Sequence, residues 1–233
     1  MSIAEHPIRA KLEPAQRFVL SGIGWDRYEK ILEAVDGFNV RVTYDRGEVE
    51  LMSPLPIHEA VKVWFGQFVT VLAMELDIPF KSMGSTTIRR RDVDRGLEPD
   101  DCYYFANAMN VRDWAALDLQ RDPPPDLAIE VDITSSSLSR MGIYAALKVP
   151  EVWRFDGEDL RAYSLGDGGS YQETATSLSL PYLPLTEILQ LLEQGLREQG
   201  DDRQRLRAMK EWSTRRAIPL KEAWESDDPS RKR

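Results

Sequence analysis

The spacing of apolar side chains divides the chain into helices and strands. Apolar residues recur at every third or fourth position over residues 25–35 and 58–76, which predicts two amphipathic helices. Between these segments the alternation changes to every second residue over 40–52, around the turn Asp45-Arg46-Gly47. This change of period predicts a β-hairpin between the two helices.

The same two periods predict the remaining elements. Strands are predicted at residues 80–91, 100–105 and 126–133, in a hairpin of 151–155 with 160–165, and at an edge strand over 171–180; helices are predicted at 136–148, 185–199 and 203–217. Because strands and helices are interleaved, we expect an α/β (α+β) fold with a central mixed β-sheet flanked by helices, an added hairpin and a C-terminal helical tail. We predict a single domain over residues 1–196 and a polar helical or disordered tail over 197–233.

Composition narrows the classes of protein and of metal site. A chain of 233 residues with 42% hydrophobic residues can bury the core of one domain, and a net charge of −9 disfavours a broadly basic surface for nucleic acid. One cysteine and two histidines exclude cysteine-based zinc fingers, so a bound metal would be Mg²⁺ or Mn²⁺ on carboxylate and carbonyl oxygens. Apolar runs are too short to span a membrane and the N-terminus lacks a secretory segment, so we expect a cytoplasmic protein.

Charge is distributed unevenly between body and tail. Residues 197–233 contain 11 Lys and Arg against eight Asp and Glu, so the tail is positive and the body carries a charge of −12. The tail helix is interpreted as solvated or as docking a partner, with DNA contact as the alternative. Arg89-Arg90-Arg91 with Arg95 is the best candidate for a DNA-backbone patch, although a solvated loop explains it equally well.

Two acids on one strand give the clearest indication of chemistry. In the strand over 126–133, Glu130 and Asp132 project from the same face, about 7 Å apart along the chain. Burying an unpaired carboxylate costs several kcal/mol, so such a pair implies a metal, a cationic partner or exposure. If the neighbouring strand begins at Asp100, that residue, Glu130 and the Val131 carbonyl would form an oxygen site for a divalent ion.

Arg140 is the candidate cation beside these acids. It lies in the first turn of the helix that follows the strand, with Tyr144 on the same helix face at i+4. Its guanidinium can reach back over the strand end to hold a phosphate or a water beside the metal. The alternative is a simple ion pair between Arg140 and Asp132.

Several motifs follow one another in a fixed order. They are Gly-Glu-Val-Glu-Leu-Met-Ser-Pro at 47–54, His-Glu at 58–59, Gly-Ser-Thr-Thr at 84–87, Gly-Leu-Glu-Pro-Asp at 96–100, Pro-Pro-Asp-Leu-Ala-Ile-Glu-Val-Asp at 124–132, Ile-Tyr at 143–144 and Val-Pro-Glu-Val-Trp-Arg at 149–154. As an ordered set, spanning about residues 25–192, they resemble the Uma-type restriction endonucleases, a branch of the PD-(D/E)XK nuclease superfamily.

This resemblance implies a restriction-endonuclease-like core and Mg²⁺-dependent (or Mn²⁺-dependent) cleavage of a phosphodiester. It makes Asp100 the aspartate of the Pro-Asp motif and Glu130 the acid of the second motif, both as metal ligands. Asp132 stands where the motif has lysine, and the cation is supplied instead by Arg140, which stays protonated and therefore cannot act as a lysine-type general base. Glu48, Glu50 and His58 also match recurrent family positions.

Each of these last three positions has a structural alternative. His58 can serve as a capping or structural residue at its helix start, and Glu48 and Glu50 can be edge-strand charges that deter pairing with other strands. If either glutamate faces the cleft, we expect it to be Glu50.

We therefore expect a Mg²⁺-dependent endonuclease acting on DNA, as a homodimer because duplex cleavage often pairs two active sites. The alternative is a catalytically silent nuclease-fold binding or interaction protein, which the missing lysine and the acidic body favour. Hydrolysis of another phosphate ester at the same metal site is a third hypothesis. The choice between DNA and RNA stays open at this point.

Overall fold

Two β-sheets and five α-helices make up the described part of the chain. In the computed structural model these residues are 15–111, 117–133, 138–180, 183–197 and 201–227. The helices are α1 (Trp25–Ala34), α2 (Pro56–Glu75), α3 (Arg140–Leu147), α4 (Leu185–Arg197) and α5 (Asp202–Asp227). Within the described ranges no helix is both long enough and apolar enough to cross a membrane.

The first sheet has five antiparallel strands in the order β1-β3-β2-β6-β5. Its strands are β1 (Arg17–Ser21), β2 (Arg41–Asp45), β3 (Glu48–Met52), β5 (Ile88–Arg90) and β6 (Arg95–Leu97). The hairpin of β2 and β3 is as the alternation predicts, and Gly47 closes its turn with a positive φ of 93°, which glycine adopts without strain. Helix α1 packs on one face of this sheet, where Tyr28 stacks on Tyr44.

The second sheet has six strands in the order β11-β10-β9-β8-β7-β4. Its strands are β4 (Lys81–Ser82), β7 (Asp101–Tyr104), β8 (Leu127–Val131), β9 (Glu151–Phe155), β10 (Leu160–Leu165) and β11 (Tyr171–Thr174). Strands β8 and β9 are parallel and are connected through α3, whereas the other pairs are antiparallel. This mixed sheet with helices on it confirms the predicted α+β fold class.

Strand β8 is buried on both faces, with the predicted alternation. Leu127, Ile129 and Val131 belong to the large core that also contains the aromatic side chains of α2. Ala128 faces the opposite way, into a smaller core formed with α3. Glu130 lies on this second face, so the sheet itself directs its carboxylate toward α3.

Three predictions about elements need correction. The predicted strand over 80–91 is two short strands in different sheets, because Gly84 has a φ of +58° and the chain turns between β4 and β5. Strand β1, which pairs with β3, precedes the first element that the sequence pattern predicts and was not expected. The edge strand β11 ends at Thr174 rather than at residue 180.

The start of α3 is set by Ser139. The Ser139 hydroxyl accepts a hydrogen bond from the Gly142 backbone N–H at 3.4 Å, so the helix begins at Arg140. The prediction placed this start at 136, and residues 134–137 lie outside the described ranges. Because Arg140 is the first helical residue, it lies beside the end of β8.

Helix α5 packs against the body of the protein. Met209 and Trp212 are buried in the large core, and the Trp212 ring lies 5.5 Å from that of Phe68 on α2. The Trp212 indole N–H donates to Glu187 on α4 at 3.1 Å, and Arg216 pairs with the same carboxylate. The apolar spacing that the sequence shows in this helix therefore serves the protein's own core.

Candidate active site

Strands β7 and β8 bring Asp100 and Glu130 together. Asp101 pairs with Ile129 in the antiparallel register, so Asp100, which immediately precedes β7, lies beside the last residues of β8. The Val131 backbone N–H donates to Asp100 Oδ2 at 2.7 Å. Both carboxylates are buried, with 3% and 5% of the residue surface exposed. The two strands are thus neighbours, which was the condition for Asp100 to join the acid pair.

Glu130 is held by Arg140 in a bidentate ion pair. Arg140 Nε donates to Glu130 Oε2 at 2.9 Å, Nη2 donates to Oε1 at 2.6 Å, and the Tyr144 hydroxyl also donates to Oε1. Arg140 further donates to Thr43 Oγ1 and to the Glu98 carbonyl, each at 2.7 Å. Four of the five guanidinium N–H groups are therefore directed at protein acceptors.

Burial and charge act against each other in this pair. Burial raises the pKa of Glu130, and the Arg140 charge opposes that rise without cancelling it. Burial alone would lower the pKa of Arg140, but the Glu130 carboxylate raises it well above the usual value. Arg140 is therefore charged at every physiological pH, which excludes it as a proton acceptor.

His58 approaches Asp100 from the first turn of α2. Its Nε2 lies 3.1 Å from Asp100 Oδ2, and its Nδ1 lies 3.7 Å from Glu59 Oε1. Burial alone would lower the pKa of His58, but the interactions with Asp100 and Glu59 raise it to about 9. Burial would raise the pKa of Asp100, and the His58 interaction lowers it. At neutral pH the pair is a charged imidazolium and a carboxylate.

Asp132 and Glu50 lie at the edge of this arrangement. Asp132 accepts from Arg154 Nη2 at 2.6 Å, so the alternative pairing of Asp132 with Arg140 is not the one in the structure. Glu50 is buried beside Arg17, whose Nη1 lies 3.0 Å from Glu50 Oε1. Glu48 on the same strand is exposed, which agrees with the choice of Glu50 as the more inward of the two.

A small cavity lies between the two sheets at this point. It has a volume of about 20 Å³, enough for one water-sized occupant. Its lining includes six of the seven predicted site residues and three further ones: His58, Asp100, Glu130, Val131, Asp132 and Arg140, together with Arg17, Arg41 and Met52. Of the predicted residues, Glu50 does not line it. Arg17 was missed because β1 was not recognised as the strand beside β3, and Arg41, although it lies on the predicted hairpin, gave no sign of its distant partners.

The donor set of the cavity fits a hard divalent cation. Within the described ranges, no group of three or more His, Cys, Asp or Glu side chains is placed to hold a metal ion. Mg²⁺, however, is commonly bound by one or two carboxylates together with waters and substrate phosphates. The hydrogen bonds to Asp100 described above are accepted by its Oδ2 atom. A carboxylate has about four lone-pair sites, and three of those of Glu130 accept hydrogen bonds, so one is left for a metal ion. Asp100, Glu130 and the Val131 carbonyl thus supply oxygens of the kind that Mg²⁺ binds.

The basic run at residues 89–91 is paired with acids. Arg90 pairs with Asp92, Arg91 pairs with Asp26 at 2.6 Å, and Arg89 lies 3.9 Å from Glu29. Arg95 pairs with Asp45 at 3.0 Å. These ion pairs favour the interpretation of this run as a solvated loop over its interpretation as a DNA-backbone patch.

The fold and this site together define a restriction-endonuclease-like α+β protein. A mixed sheet brings the aspartate of a Pro-Asp pair beside a glutamate of the neighbouring strand, and helices flank the sheet. The model of the Uma2 family, described as "Putative restriction endonuclease", matches residues 25–197, and the chain belongs to this family. In a comparison with curated proteins, no sequence matches the chain.

Proposed function

We propose that the protein is a metal-dependent endonuclease that hydrolyses phosphodiester bonds of DNA. The convergence of Asp100 and Glu130, from neighbouring strands, on one water-sized cavity carries this proposal. Membership of a restriction endonuclease family supports nuclease activity as the general class. The homodimer stays a prediction from the sequence.

Asp100, Glu130 and the Val131 carbonyl would hold Mg²⁺ or Mn²⁺. The ion would supply a Lewis acid for the phosphate and lower the pKa of a bound water. Arg140 fixes the Glu130 carboxylate through its two parallel hydrogen bonds, and His58 fixes the Asp100 carboxylate. Both side chains act as hydrogen-bond donors at neutral pH, so their proposed role is to orient the acids.

The charge around the cavity suits an anionic substrate better than the net charge of the chain suggests. Five carboxylates near the cavity take part in ion pairs: four of them pair with five Lys and Arg side chains, and Asp100 pairs with His58. The acids are Glu50, Glu59, Asp100, Glu130 and Asp132; the Lys and Arg are Arg17, Arg41, Lys62, Arg140 and Arg154. Within this set of ion-paired residues the cations thus outnumber the acids by one, unlike the acidic balance of the whole chain.

A plasmid-nicking assay tests this function. Wild-type protein is expected to nick supercoiled DNA with Mg²⁺ or Mn²⁺, whereas Asp100→Asn and Glu130→Gln are expected to lose at least about 100-fold in rate, because each removes a charged metal ligand. Glu173→Gln is the matched control, since this acid lies on the exposed edge strand β11. Equal residual nicking by wild type, Asp100→Asn and Glu130→Gln would show that any cleavage comes from a contaminant.

A second candidate is a nuclease-fold binding protein without hydrolysis. It is favoured by the hydrogen bonds that Arg140 and Tyr144 direct to both oxygens of Glu130, since a metal would have to share those oxygens. Titration calorimetry with Mg²⁺ and Mn²⁺ separates the two candidates. Binding that disappears in Asp100→Asn supports the enzyme, whereas absence of metal binding at millimolar ion and of DNA binding at low salt supports the silent protein.

A further inference from the structure

Two arginines of the five-stranded sheet face the carboxylates of the six-stranded sheet. Arg17 on β1 and Arg41 on β2 are both register partners of Met52, on the strand between them. Directly opposed residues of antiparallel strands project to the same face, so the two arginines flank Met52 on one face. Their strands are about 10 Å apart, at two interstrand spacings. All three side chains line the cavity with Asp100 and Glu130.

The two arginines lie nearer to solvent than the acids. The side chains of Arg17 and Arg41 are 16% and 13% exposed, against 4% for Asp100 and 7% for Glu130. These two side chains are thus more accessible to a ligand that enters from solvent than the carboxylates of Asp100 and Glu130 are.

Arg41 retains hydrogen-bonding capacity that Arg140 lacks. Arg41 Nη2 donates to Glu59 Oε1 at 3.2 Å, but its Nε is buried and has no hydrogen-bond partner among the described residues. Leaving a buried charged donor unsatisfied costs about 1–3 kcal/mol or more, so a native protein normally provides an acceptor for it. Arg140, by contrast, directs four N–H groups at Glu130, Thr43 and Glu98. The available guanidinium donor is therefore on Arg41.

Arg41 also lines a second, much larger cavity. This groove has a volume of about 1000 Å³, at the upper end of the range for ligand-binding clefts. It runs between the end of α1 and residues 85–87, and Trp25, Phe38 and Thr86 are among its lining residues. Arg41 thus connects the groove with the small cavity, which is the position expected for a residue that holds a phosphate while the neighbouring nucleotides occupy the groove.

On the basis of the function proposed above, we propose that Arg41, together with Arg17, binds the phosphodiester of the substrate through its non-bridging oxygens. Guanidinium groups match phosphate oxygens geometrically and hold them by charge-assisted hydrogen bonds. The pairs with Glu50 and Glu59 hold the two arginine side chains toward the cavity. This assigns substrate contact to Arg41 and Arg17, and the positioning of Glu130 to Arg140.

DNA binding and nicking by the full chain test this assignment. Arg41→Gln and Arg17→Gln are each expected to weaken binding of a fluorescent duplex, measured by anisotropy in Ca²⁺, by about 10-fold, because each removes a charge-assisted hydrogen bond. Each should also lower the slope of log affinity against log salt by about one, as expected for loss of one phosphate contact. Arg203→Gln is the matched control, since Arg203 pairs with Asp201 at 3.2 Å at the start of α5 and lines neither cavity.

Arg41→Lys separates loss of the phosphate contact from damage to the fold. Lysine keeps the charge but not the fork of donors, so the salt slope should be retained while affinity falls. Thermal unfolding of each variant reports folding independently. A variant that melts as wild type but has lost affinity supports the assignment.

The possible outcomes separate this assignment from the proposed nuclease function. Nicking by wild type with unchanged binding in Arg41→Gln and Arg17→Gln overturns the phosphate contact and leaves the nuclease standing. Binding without nicking that is lost in Arg41→Gln supports the phosphate contact and overturns the nuclease. A wild-type protein that neither binds nor nicks DNA overturns both.

Discussion

Replacing Arg140 by methionine is expected to destabilise the protein more than removing both members of its ion pair. Arg140 makes two hydrogen bonds to Glu130 and one each to Thr43 and the Glu98 carbonyl, and the Arg140 and Glu130 side chains are 14% and 7% exposed. Removing one partner of a buried pair costs about 3–5 kcal/mol, because the other charge stays buried without compensation. Arg140→Met should therefore lower the free energy of unfolding by that amount at pH 7.

The double variant Arg140→Met with Glu130→Met also removes the Glu130 charge that Arg140→Met leaves buried without a partner. It is expected to recover about 2 kcal/mol relative to Arg140→Met, since replacing both partners by apolar groups is often close to neutral. The unsatisfied Thr43 hydroxyl and Glu98 carbonyl limit the recovery. Arg154→Met is the control: it removes the partner of Asp132 at a site where Arg154 is 39% exposed, so its cost should stay below about 1 kcal/mol.

Urea unfolding followed by circular dichroism, in chelator, measures these differences. The pH dependence gives a second test. In Arg140→Met, the pKa of Glu130 should rise further above its usual value of 4.5, because burial is no longer opposed by the guanidinium. The variant then loses stability as pH rises above that unfolded-state value, so its deficit should grow with increasing pH above about 4.5. This account of the pair would be refuted if Arg140→Met cost less than about 1 kcal/mol. It would also be refuted if the double variant cost as much as Arg140→Met and Glu130→Met added together.

Three further predictions concern the imidazole, the packing under α1 and the last helix. The pKa of His58 is about 9 in the folded protein against 6.5 in the unfolded chain, so protonated His58 stabilises the fold by up to about 3 kcal/mol. This stabilisation is complete below pH 6.5 and is lost as pH rises through 9. Urea midpoints measured across this range in chelator should show the loss in wild type and not in His58→Gln. Gly96→Ala would place its Cβ 2.4 Å from the Tyr28 hydroxyl and should cost about 1–3 kcal/mol in thermal unfolding, whereas Gly168→Ala, with nothing within 4 Å, should cost little, and equal melting temperatures would contradict this packing. Trp212→Ala should cost about 3–5 kcal/mol in urea, and a smaller loss would indicate that α5 contributes little to the core.

The alternation along β8 was sufficient to predict which face of the strand carries Glu130. Alternation along five residues fixes which side chains share a face, and Leu127, Ile129 and Val131 enter one core while Glu130 faces the other way. The hairpin of β2 and β3 and the helix α2 follow equally from short-range periodicity. These features depend on neighbours within a few residues, which the sequence displays directly.

The partners of the acids depend on register between distant segments. Glu130 and Asp132 look alike in the sequence, but Glu130 meets Arg140, whereas Asp132 lies one residue beyond β8 and meets Arg154 of the adjacent parallel strand. The split of residues 80–91 was missed because it depends on β4 and β5 pairing with strands of different sheets on either side of the turn at Gly84. Neither the parallel register nor the change of sheet leaves a local signal.

The link between the two sheets limits where the chain can change in length. The segment from β4 to β5 leaves one sheet and enters the other within a few residues, and Thr87 in this segment donates to Glu98 Oε1 at 3.1 Å. The Glu98 carbonyl in turn accepts from Arg140. An inserted residue between Gly84 and Thr87 would thus displace an anchor of the acid site. The turn between β10 and β11 carries no such link among the described residues, so relatives of this protein are expected to differ in length there and to keep the length of the crossing segment.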